Sequence, residues 1–339
     1  MRCANHIHDS HGFSGFTEFD MEIAEEEILG GYFQLQMRAT KRDGFAAFSV
    51  DWGDGESGTA TAYEIWHNYR AAGRYRVRLG SEVKWWRLWS GITVSSEGRY
   101  YVSCPAIFPV RWSDTLESCE GTYCGWNSSL HGGGVQGRLP AWGRSIKSTY
   151  CCYQYCRDVE GPFPPWTDAV EDACGTYDNC PKMRGPIPRW GRNIKRANQC
   201  FRETKVYGRF PAWPPGCVEM AYAYAGAASL HGEVPPWPET ASVMNDAFLG
   251  CTGATGAIPP WPPNPTWLDR CYKDCAGLSG AWTDDTEELM SKPEASVRVS
   301  GDYYRCNDVV TGAGEGLRAL FWDEPWGGSL PRPAKEETE

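Results

Sequence analysis

Gly137, Gly161, Gly185, Gly208, Gly232, Gly256 and Gly280 follow one another at intervals of 24 residues, with a single interval of 23 between Gly185 and Gly208. So constant a period restricts the chain to architectures that stack one short unit on the next, because a unit of this length is too small to bury an apolar face alone. Each glycine carries the same phrase. An apolar residue follows at +2, proline at +3, and tryptophan at +5 in the column Trp142, Trp166, Trp190, Trp213, Trp237 and Trp261. Upstream, Val159, Met183, Val206, Leu230, Ala254 and Leu278 occupy −2, and Cys156, Cys180, Cys251 and Cys275 occupy −5. Tyr153, Tyr177, Tyr224, Phe248 and Tyr272 stand at −8, with Phe201 displaced by one in the short unit, as a one-residue deletion requires.

Side chains alternate across a strand, so positions −2 and +2 point into the core while −1 and +1 point outward. Glycine between them allows close backbone approach, and proline ends the ladder. The segment after each Trp, such as Gly191 to Ala197, is helix-permissive, which predicts one or two helical turns on the opposite side of the unit. A tryptophan repeated in six consecutive units is explained by packing more readily than by stacking on sugars. The cysteine column reads the same way, since cysteine is among the most buried side chains. Rungs about 4.8 Å apart nevertheless leave disulfides geometrically accessible. Cys152/Cys156 and Cys271/Cys275 lack the two-residue spacing and the histidines of a zinc site. An earlier unit is expected around Leu130-His131-Gly132, behind Trp112, and the phrase restarts at Gly328-Ser329-Leu330-Pro331, so residues 293–328 are expected to form degenerate capping repeats.

Before the repeats the texture changes. Phe45 to Val50 runs into the turn Asp51-Trp52-Gly53-Asp54-Gly55, and Arg74 to Leu79 alternates polar and apolar residues. These patterns predict a small β-sandwich over residues 13–103, a solenoid over 104–292, and flexible tails at 1–12 and 329–339. Asp51 and Asp54 are weak calcium candidates, set against their ordinary role of building the turn through hydrogen bonds to the backbone. His67, next to Trp66 and Tyr69, is expected to pack rather than to act as a base. The run His6-Ile7-His8-Asp9-Ser10-His11 is similar to a metallo-β-lactamase metal motif, but the acid stands one position early, so a solvated tail is the expected role.

With 33 Lys+Arg against 43 Asp+Glu, the net charge is −10 and no basic run is concentrated enough for nucleic acid. No apolar run is long enough for a membrane span, and Met1 to Phe16 lacks the pattern of a secretory leader. Nucleophile elbows, phosphate loops and dinucleotide fingerprints are missing from the sequence, so a non-enzymatic protein without cofactor is expected.

Outward columns are free of the core constraint, and in this chain they vary. Position −1 reads Glu160, Arg184, Tyr207, His231, Thr255 and Ser279, and position +1 reads Arg138, Pro162, Pro186, Arg209, Glu233 and Ala257. Among these, Glu160, Arg138 and Glu233 join the candidate binding row, and Arg184, Tyr207, Arg209 and His231 form its expected centre. Arg209 and Tyr207 are its anchors, because Tyr and Arg are enriched at binding hot spots. Solenoid units contact mainly their neighbours, so residues 104–328 are expected to fold without the sandwich.

The spacing Trp52-Gly53-Asp54-Gly55, then His67-x-Tyr69, then Gly73-x-Tyr75-x-Val77-x-Leu79 resembles the PKD (polycystic kidney disease) domain. The phrase Cys-x-x-Φ-x-Gly-x-Φ-Pro-x-Trp is similar to the Trp-containing leucine-rich repeats of BspA-type bacterial surface proteins. The resemblance implies an Ig-like sandwich followed by a right-handed β/α solenoid that binds a protein or glycan partner, as in adhesion at a cell surface. The alternative it leaves open is a structural or receptor-binding component of a phage virion.

Overall fold

The computed structural model describes residues 15–28, 31–40, 47–94, 100–103, 105–124, 134–263, 265–267, 270–275 and 277–279. The N-terminal histidines, the Leu130 echo, Gly280 and the expected capping repeats lie outside these residues.

Nine strands build the N-terminal unit: β1 (Thr17–Ile23), β2 (Phe33–Thr40), β3 (Phe48–Asp51), β4 (Ser57–Ala60), β5 (Glu64–Tyr69), β6 (Gly73–Leu79), β7 (Trp85–Val94), β8 (Tyr100–Ser103) and β9 (Ala106–Arg111). They form two antiparallel sheets, in the orders β4-β3-β6-β1-β9 and β5-β2-β7-β8. Apolar residues of one sheet, Phe19, Met21, Val77 and Leu79, and of the other, Phe33, Leu35, Met37 and Trp86, are buried in a common core. The final strand, β9, lies past the expected boundary at residue 103: it pairs with β1 along one edge, and its Ile107 bridges to Val135 of the first rung.

The sequence motif of this unit is structural. The Trp52 indole stacks on His67 with centroids 4.7 Å apart, and the Tyr69 hydroxyl donates to the Trp52 carbonyl at 3.0 Å. Thus the turn at Trp52 is pinned to β5 by two consecutive inward-facing residues, which explains the fixed spacing of the aromatic and the histidine.

Seven short parallel strands then carry the beat: β10 (Gln136–Arg138), β11 (Asp158–Glu160), β12 (Arg184–Pro186), β13 (Lys205–Arg209), β14 (Leu230–Glu233), β15 (Gly253–Ala257) and β16 (Gly277–Ser279). Each beat glycine lies opposite the −2 residue of the next unit: Gly137 faces Val159, Gly161 Met183, Gly185 Val206, Gly208 Leu230, Gly232 Ala254 and Gly256 Leu278. At Gly256 the backbone is left-handed (φ 87°), and a Cβ there would meet the Glu233 side chain at 3.0 Å. A second line of parallel bridges joins Ser118, Ser148, Asp172, Arg196, Glu219, Val243 and Trp267 on the far side of the coil.

The expected helical turns are not formed, and the solenoid is all β rather than β/α. Within Gly191 to Ala197 the Ile194 N–H reaches back only to the Gly191 carbonyl, while those of Lys195 and Ala197 donate to the carbonyls of Glu171 and Glu219 in the two neighbouring rungs. Just beyond this segment, left-handed residues recur four apart in successive turns: Cys151 and Tyr155, Gly175 and Asn179, Gln199 and Glu203, Tyr222 and Gly226, Asp246 and Gly250. They interrupt the i to i−4 bonding a helix needs. The N–H groups of Cys151, Tyr153 and Tyr155 donate instead to carbonyls of the next rung, while those of Cys152, Gln154 and Cys156 reach back three residues. Every second N–H therefore ties one rung to its neighbour, satisfying the buried backbone between units.

Two aromatic columns fill the core. Trp112, Trp142, Trp166, Trp190, Trp213, Trp237 and Trp261 stack with centroids 5.8–6.4 Å apart and planes within 23°. Beside them run Tyr123, Tyr153, Tyr177, Phe201, Tyr224, Phe248 and Tyr272, at 5.5–6.2 Å. The displaced Phe201 takes its place in register, as the one-residue deletion requires. Packing thus accounts for the Trp column, as expected.

The cysteines at −5 have a specific role in this frame. Cys156, Cys180, Cys251 and Cys275 are fully buried free thiols, each donating to the carbonyl of the preceding rung's aromatic residue: Tyr123, Tyr153, Tyr224 and Phe248. Burial pushes the Cys251 thiol up to about 12 and that of Cys180 higher still, so neither is a thiolate near neutral pH. In a native protein these four thiols are expected to resist thiol reagents and to react only after denaturation. Intact mass under non-reducing conditions checks this, and a disulfide among the four would overturn it.

The sandwich and the solenoid share one core. Trp86 of β7 stacks on Phe19 of β1 at 5.2 Å and also meets Tyr123 at 5.4 Å and Trp112 at 6.3 Å, heading both aromatic columns. The backbone is continuous too. The Lys84 carbonyl accepts from Glu117 and Ser118, the Thr122 hydroxyl donates to the Trp86 carbonyl, and Ile107 of β9 bridges in parallel to Val135. Among the described residues no helix is long and apolar enough to cross a membrane.

Candidate functional site

All the outward residues picked from the columns, from Arg138 and Glu160 to Thr255 and Ala257, are exposed where the structure describes their side chains. Which of them are neighbours is decided by the ladder. Strand pairing advances two residues less than the repeat, so a +1 residue faces the −1 residue of the next rung: Arg138 faces Glu160, Pro186 faces Tyr207, Arg209 faces His231 and Glu233 faces Thr255. The columns expected to run straight along the solenoid therefore run diagonally. Arg184 does not face Tyr207; it faces Lys205.

The diagonal still assembles the expected centre. Lys205, Tyr207 and Arg209 project from one face of β13, with Arg184 of β12 beside Lys205 and His231 of β14 beside Arg209. Tyr207 is 49% exposed, among the larger exposures of any aromatic in the solenoid. Among the described residues none of these five side chains makes a hydrogen bond, ion pair or ring contact. Several other cations of the solenoid are engaged, Lys195 with Glu171, Arg196 with Asp172 and Glu219, Arg202 with Asp178, and Arg270 with Asp246, whereas Lys147, Arg157 and Arg189 are, like the five, without a side-chain partner among the described residues. Lys205 was missed in the columns because it stands at −3, outside the two positions compared. Its signal was the same alternation that marks −1 and +1 as outward, carried one step upstream to −3.

Other expected members fall elsewhere. Arg138 and Glu160 lie opposite each other on β10 and β11, where their charges balance. Glu233 stands two residues beyond His231 and faces Thr255.

The calcium candidates are occupied by the protein itself. Asp51 accepts from the Gly53 N–H at 2.9 Å and lies 3.3 Å from Arg78; Asp54 accepts from the Glu56 N–H at 3.0 Å and is 2.7 Å from the His67 ring. Burial alone would raise the Asp54 carboxyl, but hydrogen bonds from His67 and the Glu56 backbone outweigh it and hold the group below its ordinary value. These carboxylates build the turn, as their sequence context suggested. Among the described residues no group of three or more His, Cys, Asp or Glu is placed to hold a metal ion.

No family model, curated protein or solved structure matches the chain.

Proposed function

We infer that the protein is a non-enzymatic binding module whose solenoid strand face, centred on Arg209 and Tyr207, takes an acidic protein or glycan partner. One observation carries this reading: Arg184 and Lys205 stand directly opposite each other, unpaired, in a chain of net charge −10. Like charges opposite one another destabilise a sheet, so folding gives no reason for the pair. Binding does, since an anionic partner would relieve the repulsion and Tyr207 would supply contact area at low entropic cost. The resemblances to PKD domains and to BspA-type repeats accord with such a module, which in that setting would serve adhesion at a bacterial surface.

Poly-glutamate and dextran sulfate serve as probes of the two partner classes. Wild-type protein is expected to bind at least one of them, with affinity that falls as salt rises. The Arg209→Ala/Tyr207→Ala double variant, folded by its unchanged thermal transition, is expected to bind at least about tenfold more weakly. Unchanged affinity in the double variant, or no binding of either probe by wild type, would overturn the placement.

A further inference from the structure

The most exposed large hydrophobic side chain among the described residues is not on the solenoid. Trp66 of β5 is 62% exposed and makes no ring contact or hydrogen bond, although its neighbours Ile65 and His67 are buried. Buried flanking residues hold the strand, so the indole stands on a rigid support with its face open to solvent. An exposed tryptophan in such a place contributes nothing to the core and costs solvation of a large apolar surface.

The side chains beside the ring are polar, and the charged ones among them are paired. Opposite Trp66 on β2 is Gln36, whose amide donates to Gln34 at 2.8 Å; Gln34 donates in turn to Asn68 at 3.0 Å. The chain of amides is thus oriented, and the amides of Gln34 and Asn68 keep further donor or acceptor capacity. Toward the other end of the same face, Arg38 is paired with Glu64 at 2.6 Å, cancelling both charges, and its guanidinium lies 5.7 Å from the Tyr63 ring. Tyr63 stacks on Trp85 at 6.2 Å, which gives the face a second aromatic surface.

We propose that this outer face of the β5-β2 sheet binds a neutral, extended polysaccharide, with Trp66 stacking on the apolar face of one sugar ring and the Gln34, Gln36 and Asn68 amides hydrogen-bonding its hydroxyls. Pyranose rings with equatorial hydroxyls present a flat C–H face to an indole and a rim of hydroxyls to neighbouring amides, which is the combination of surfaces found here. Beside Trp66 the side chains are amides and the mutually paired Arg38 and Glu64, which favours a neutral chain there; the further cation of this face, Arg87, stands one strand away from Arg38 on β7. A protein partner fits less well, because protein interfaces centre on a contiguous apolar core and here one isolated ring sits among amides. The site is separate from the solenoid face and does not depend on it.

The test uses the full chain with insoluble cellulose and chitin and with soluble β-1,4-linked glucose and N-acetylglucosamine oligosaccharides as probes. Wild type is expected to bind one or more of them, Trp66→Ala to bind at least about tenfold more weakly, and Trp66→Phe to retain part of the affinity. Trp66 is 62% exposed and makes no ring contact or hydrogen bond, so the variants are expected to melt close to wild type. The Arg209→Ala/Tyr207→Ala variant is expected to bind these neutral probes normally, separating this site from the solenoid face. Failure of wild type to bind any neutral probe, or unchanged binding by Trp66→Ala, would overturn the proposal.

Discussion

A chain lacking residues 1–103 is expected to lose cooperative unfolding and to aggregate, despite retaining every repeat. Its truncated end would expose Trp112, Leu116, Cys119 and Tyr123, all buried in the intact protein, and would strip β9 of its partner β1. The aromatic columns would begin at an open rung without Trp86, which closes them by contacts to Trp112 and Tyr123. Solenoids require a capping element at each end because a terminal rung otherwise presents its apolar interior to water. The sandwich is that element here, which reverses the modular folding expected from the repeat pattern alone. Circular dichroism melts and size-exclusion chromatography of the truncated chain decide the matter; a soluble monomer with a sharp transition would show that the shared core is dispensable. The single change Trp86→Ala should reproduce part of the effect, costing about 3–5 kcal/mol as large-to-small changes at a fully buried aromatic do.

Trp190→Ala is expected to destabilise the protein by about 3–5 kcal/mol, the second large effect. Its ring is 4% exposed and lies between Trp166 and Trp213 at 5.9 and 6.1 Å. Trp190 also donates its indole N–H to the Tyr224 hydroxyl at 2.9 Å. Trp213 occupies the corresponding place one unit on, but faces Phe248, and its buried N–H has no acceptor. This difference gives a finer test. Trp190→Phe removes the donor to Tyr224, whereas Trp213→Phe removes a polar group that is already unsatisfied, so the first should cost about 1 kcal/mol more than the second. Denaturant melts of the two variants measure the difference, and equal losses would mean the hydrogen bond is not made in solution.

Much of the architecture was legible in the sequence because it repeats. The constant interval announced stacking, the −2 and −8 columns announced the core, and the alternation around each glycine announced the outward row; all three are consequences of local periodicity. The turn at Asp51 to Gly55 was likewise readable from its Asp and Gly residues, and the packing of His67 from its place beside Trp66 and Tyr69; the link that pins His67 and Tyr69 to Trp52 was not, because it joins two separate segments. The helical segments were not, because the pattern after each Trp permits helix and only the next rung decides otherwise. Lys195 and Ala197 give their N–H groups to carbonyls of the two neighbouring units instead of to a helical i−4 partner, and no local propensity encodes that exchange. The diagonal register is of the same kind. It brings Lys205 opposite Arg184 and carries Arg184 away from Tyr207, and it follows from how two rungs pair rather than from either rung's residues. By itself the sequence determined what each unit buries and what it exposes, since side-chain periodicity is a property of one segment. Only the tertiary structure decided which exposed residues meet and that the sandwich closes the solenoid, because both depend on hydrogen bonds and ring contacts between segments that the chain order keeps apart.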